Sequence, residues 1–202
     1  MARYQRNLSD QIGVFDFYSK FLYLVKLHSV PVYLGTLILE TAEVIMLVIL
    51  KDKGRSTSCC ELRIDIDSIK VIGENTEFVD LTISFYNGNC FSDIKASIDL
   101  NIDDLTTVLK KLTMLATDSV QYIDPYDPGF FIYSIPETDP INDELVFRIF
   151  VSIDAGLING TGATFSGPSL ALTVKQLDIN VFVNEIRKQL IEFPRTLYRA
   201  DI

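Results

Sequence analysis

Between Leu112 and Phe147 the chain carries no lysine or arginine, while Asp118, Asp124, Asp127, Glu137, Asp139, Asp143 and Glu144 fall in that span, interleaved with Tyr122, Tyr126, Phe130, Phe131 and Tyr133. Carboxylates accept charge-assisted hydrogen bonds from Lys and Arg, and tyrosines supply contact area with a polar tip. The combination suits a surface that receives a basic protein. Asp118, Tyr122, Asp124, Tyr126, Asp127, Glu137, Asp139, Asp143 and Glu144 are therefore the candidate partner-binding residues. The residues alone leave a second reading open, an acidic loop over the margin of a core strand.

Signs of catalysis are sparse. His28 is the sole histidine, so any His-rich metal site, Ser-His-Asp triad or Cys-His pair would rest on it. It lies in an apolar run, where a packed histidine is the expected role. Gly156 to Gly167, GLINGTGATFSG, is rich enough in glycine to suggest a phosphate cradle, but it lacks the Gly-Lys-Ser/Thr of a P-loop and a strand follows it. A hairpin connection is expected instead. Asp65 and Asp67 share one strand face, as do Asp80 and Ser84; a carboxylate acid/base pair is defined by separation in space, so a carboxylate-based hydrolase stays open as an alternative. No catalytic, metal-binding or cofactor-binding residue is assigned.

Two strand–helix stretches must position these groups. In Ser169 to Pro194, Leu170, Leu172 and Val174 alternate with small or polar residues; Ile179, Phe182, Val183, Ile186 and Leu190 then form one helical stripe that Pro194 ends. Asp178 or Asn180 is placed to cap it. Ser92 to Leu115 repeats the pattern, with Ile94, Ala96, Ile98 and Leu100 alternating before the stripe Leu105, Val108, Leu109, Leu112 and Leu115, and with Asn101 or Asp103 as cap. Strands are expected around Leu62–Ile66, Val79–Phe85, Phe130–Ile135 and Leu145–Ile153. Asn87-Gly88 reads as a tight hairpin turn, and Asp124 to Gly129, DPYDPG, as a turn-rich crossing between halves. The predicted fold is α+β: mainly antiparallel β-sheet built from two β-β-β-α units, with two helices packed on it and an N-terminal helix/strand extension.

The polar segment Lys51 to Ser58 marks a boundary between an extension, 1–55, and an acidic domain, 56–202. Leu8 to Leu27 has a helical apolar face, and Val32 to Leu50 is a long apolar run. On an insertion scale its apolar residues would gain about 5–7 kcal/mol, which Glu40 and Glu43, at about 2.5–3.5 each, nearly cancel. Buried strand or helix is expected there, and membrane contact is disfavoured.

Charge sharpens the partner. Residues 61–194 hold nine Lys/Arg against twenty-one Asp/Glu, a net −12 within a chain of net −9. Such a domain repels nucleic acid and attracts a basic protein. Cys59, Cys60 and Cys90 are an odd set without a C-x-x-C spacing, so free thiols in the cytoplasm are expected.

Three segments carry a family resemblance: FSDIKASIDLNIDDLTTVLKKLTML from Phe91, YIDPYDPGFFIYSI from Tyr122, and LALTVKQLDINVFVNEIRKQLIEFP up to Pro194. From about Glu61 to Pro194 the chain resembles the WapI-type immunity proteins, bacterial antitoxins that protect a cell from polymorphic toxins of the wall-associated or contact-dependent kind. The resemblance implies a non-enzymatic protein that binds a cognate toxin domain, for which a basic nuclease fits the charge, and implies no cofactor. It supplies no universal functional residue, because immunity proteins bind through surfaces that vary between members. The rival reading is a structural or assembly protein that forms a homo-oligomer or meets a membrane through residues 1–55.

Overall fold

A computed structural model describes residues 47–53, 59–73, 76–88, 91–125, 129–162 and 164–198. The chain divides into two units, Met1–Val44 and Ile45–Ile202, and the second is the one described. His28, the Leu8–Leu27 helix and the run from Val32 to residue 46 lie outside the described residues.

Strands β1 (Leu47–Lys51), β2 (Cys60–Ile72), β3 (Thr76–Asn87) and β4 (Ile94–Asn101) form an antiparallel meander, and helix α1 (Ile102–Leu112) follows. The second half is β5 (Gln121–Ile123), β6 (Phe130–Thr138), β7 (Leu145–Ile153), the single turn α2 (Ala155–Ile158), β8 (Ser169–Val174), helix α3 (Gln176–Glu192) and β9 (Arg195–Tyr198). Strands β5 to β8 make a second antiparallel sheet in chain order, and β9 returns to the first sheet, parallel to β2. The α+β class is as expected. Each half has four strands before its main helix, however, where three were expected: the additions are β1, in the segment assigned to the extension, and the three-residue β5. The expected boundary after residue 55 falls between β1 and β2, which pair from Leu47↔Asp65 to Lys51↔Glu61.

Alternation explains which face of each strand is buried. In β2 the buried positions are even up to Ile66, then switch to Ile69, because a bulge between Ile66 and Ser68 inserts one residue. Inner faces of both sheets and the stripes of α1 and α3 share one core: Leu62, Ile83, Leu105, Leu109, Ile132, Ile149, Ile179 and Phe182 all surround one apolar void of about 20 Å³. Asn101 caps α1, accepting the Asp103 N–H at 2.8 Å. Asp178 sits inside the first turn of α3 and accepts the Lys175 N–H at 3.3 Å. Phe193 donates its N–H to Gln189 O at 2.8 Å, and Pro194 then separates the helix from β9. Gly88 has the positive φ the hairpin reading needs, +71°, but β4 starts only at Ile94, so the connection is longer than a two-residue turn. Beyond β1, Lys53 N–H donates to Thr173 O at 2.7 Å and Asp52 Oδ1 accepts the Thr173 N–H at 2.7 Å, which ties that segment to the edge strand β8. Among the described residues, no helix is long and apolar enough to cross a membrane.

Candidate partner-binding surface

The seven candidates among the described residues are spread along the second sheet and its connections. Tyr126 and Asp127 lie outside the described residues. Asp118 is exposed in the loop before β5, while Tyr122 lies on β5 opposite Tyr133 and Asp124 just after it, toward the end of the second sheet where Phe130 pairs with Ile153. Glu137 is near the far end of β6, and Asp139, Asp143 and Glu144 occupy the β6–β7 turn. Tyr122 stands opposite Tyr133, which is four residues of strand from Glu137 and six from Asp139, or roughly 13 and 20 Å at about 3.3 Å each.

At the turn end the carboxylates have local partners. Glu137 pairs with Arg148 at 3.1 Å, and Glu144 forms an ion pair with Lys175 that holds its carboxyl below the usual range. Asp139 Oδ1 accepts the Ile141 N–H at 2.9 Å, and Asp143 adopts φ +55°. These side chains shape the turn, and two of the four spend their charge on neighbours.

The other end presents aromatic rings. Because side chains alternate, Phe130 and Ile132 enter the core while Phe131 and Tyr133 face outward beside Tyr122. The strand register sets Tyr122 opposite Tyr133, and Tyr133 opposite Phe150. Ring centroids are 4.8 Å apart for Tyr122–Tyr133, 5.8 Å and nearly perpendicular for Phe131–Tyr133, and 6.4 Å for Phe131–Phe165. Tyr122 and Tyr133 are each 41% exposed and Phe165 is 60% exposed. Partial burial, then the charge of Asp124 and hydrogen bonding with it, push the Tyr122 hydroxyl up to about 12; Tyr133 and Asp154 add smaller contributions. Asp124 Oδ1 is buried without a hydrogen-bond partner.

A residue that sequence reasoning missed organises this end. Asp154 is 1% exposed and its carboxylate accepts from Gly156 N–H (2.9 Å), Phe165 N–H (2.7 Å), Thr164 N–H (3.1 Å) and Thr164 Oγ1 (3.0 Å). These bonds gather the Gly156–Gly167 loop and hold Phe165 at φ +51°, a region that costs a non-glycine residue free energy. The loop joins antiparallel β7 and β8, as the hairpin reading required. A signal was present: an aspartate that ends an apolar strand and precedes Ala-Gly is a helix-cap pattern. Its long reach to Thr164 and Phe165 was not encoded in any local spacing.

Elsewhere, Asp65 and Asp67 do share the outer face of the first sheet. Burial, then the charge of Asp67, raise the Asp65 carboxyl to about 6, while Thr82 donates to Asp67 at 2.7 Å. Burial would raise Asp80, but hydrogen bonds from Lys70 and Ser68 outweigh it and hold that carboxyl below its usual range. None of the three lines the apolar void of the core or the depression at the start of α1. An open depression of about 250 Å³ at the start of α1 is lined by Thr76, Glu77, Asn101, Ile102 and Asp103, with Glu77 paired to Arg195 at 3.5 Å. Among the described residues no group of three or more His, Cys, Asp or Glu is placed to hold a metal ion.

No protein-family model matches the chain, and no curated protein matches it. Two solved plant structures are similar at low level. WHY1 from Arabidopsis thaliana is 13% identical over 74% of this chain and 84% of its own, with a TM-score of 0.36. The plant transcriptional regulator PBF-2 is 12% identical over 74% and 81%, with a TM-score of 0.35. Likeness of that degree carries no functional argument.

Proposed function

We propose that the protein is a cytoplasmic immunity protein of the WapI type, which binds a cognate toxin domain and blocks it sterically and electrostatically without catalysis of its own. The observation that carries this reading is the charge of the second sheet and its connections: residues 113–174 hold eight acidic side chains against the single Arg148, a net −7. Arg148 is moreover occupied by Glu137. A basic toxin surface would be steered toward this half of the domain, and exposed Tyr122, Tyr133 and Phe165 would supply its contact area once docked. The residue pattern shared with immunity proteins from Glu61 to Pro194 supports the same conclusion.

The test is affinity capture with the full chain from its native host in low and high salt, followed by co-expression of each captured domain with the protein. Recovery of a growth-inhibiting domain, weakened by salt and rendered harmless by co-expression, is expected. Captured domains whose toxicity persists under co-expression would overturn the proposal.

A further inference from the structure

We propose that the ring cluster beside Asp124 is a seat for a cationic side chain, specifically a guanidinium, presented by the protein partner. The inference deepens the immunity reading and rests on it for the partner's identity, but not for the chemistry of the seat. Three observations converge.

The first is geometry. The faces of Tyr122 and Tyr133 lie side by side at 4.8 Å, tilted by 43°, with Phe165 reaching the same cluster through Phe131. Tyr122, Tyr133 and Phe165 are substantially exposed, while Phe131 is buried beneath them. An aromatic face attracts a cation through its quadrupole, and does so more strongly where water is partly excluded.

The second is the unmet demand for a donor. Asp124 keeps one carboxylate oxygen buried and unpartnered, a costly state that an N–H donor relieves. Negative charge from Asp124 and Asp154 already acts on the Tyr122 hydroxyl. From Thr113 to Val174 the chain offers one cation, Arg148; it stands opposite Ile135, farther along the strands, and is paired with Glu137. A cation seated on these rings would therefore come from outside residues 113–174.

The third is that the fold builds the same arrangement internally on its other sheet. The Arg63 guanidinium carbon lies 3.9 Å from the centroid of the Tyr86 ring while its Nη2 meets Glu61 Oε2 at 2.9 Å. Ring, carboxylate and guanidinium are complete there. At Tyr122, Tyr133 and Asp124 ring and carboxylate recur, and no described residue sets a guanidinium against them. A planar guanidinium, able to stack and to donate in a fork at once, fits this pairing better than an ammonium.

The experiment uses the full chain labelled with 3-fluorotyrosine, its resonances assigned through Tyr122→Phe and Tyr133→Phe. It is titrated with Nα-acetyl-arginine methylamide and with the citrulline analogue, which has nearly the same shape and no charge. Saturable shifts of Tyr122 and Tyr133 with the arginine probe are expected, with little response to citrulline. Asp124→Asn should weaken the arginine response by about tenfold, and Phe165→Leu should weaken it by a smaller factor while leaving the fold intact. Equal responses to both probes, or no saturable shift up to the solubility limit, would overturn the inference. The two proposals fail separately: an arginine response with no toxin rescued leaves the seat and removes the immunity reading, whereas toxin rescue without an arginine response does the reverse.

Discussion

Asp65 shows how a single side chain on a strand surface couples to stability. Its folded pKa, about 6, lies above the ordinary aspartate value of 3.8, so between those values the folded state binds more protons than the unfolded one. Stability then falls as pH rises through that window. Asp65→Asn should therefore raise the melting temperature at pH 7, and the gain should vanish near pH 4; a gain of equal size at both values would show that charge is not the cause. Asp154 predicts the opposite kind of loss. Asp154→Ala leaves the N–H groups of Gly156, Thr164 and Phe165 without the acceptor that gathers them. The cost should be about 2–4 kcal/mol, and proteolysis should select the 155–167 loop first. Position 167 in that loop requires glycine: its φ is +158°, and a Cβ there would stand 2.0 Å from Ile153 O.

Among the elements, α1 and α3 show how far spacing reaches. The stripe Leu105, Val108, Leu109, Leu112 is buried as its period requires, and so are Ile179, Phe182, Val183, Ile186 and Leu190. Asn101→Ala should cost about 1 kcal/mol by removing the bond to the Asp103 N–H, which a denaturant midpoint with unchanged slope would record. The strands were legible where they alternate over six residues or more. Strand β5 has three residues and β9 four, too few for a period to declare itself. Both exist because a neighbouring strand offers unpaired backbone groups, which is a property of the sheet and not of the segment.

At the scale of the molecule, charge is unevenly distributed and the consequence is kinetic. Reversing the acid at the ring end, Asp124→Lys, should slow association with a basic toxin domain and flatten its salt dependence. The same reversal at Asp139, in the β6–β7 turn, should change the rate less. Stopped-flow association at two ionic strengths separates them; equal effects would mean that only net charge matters and that the ring end has no privileged role.

Composition and periodicity by themselves determined the α+β class, the two helices with their buried stripes, the alternating faces of the longer strands and the acidity of residues 113–174, because each depends on residues close in sequence. Tertiary structure decided how the acidic and aromatic side chains are grouped. The seven described candidates, which read as one segment, are spread along β6 and its connections, since an extended strand carries its residues apart at about 3.3 Å per step. The structure also sets Asp154 beneath Phe165, eleven residues away, and packs Phe131 against both Tyr122 and Phe165. Strand pairing and loop closure create those contacts, and neither leaves a mark in local spacing.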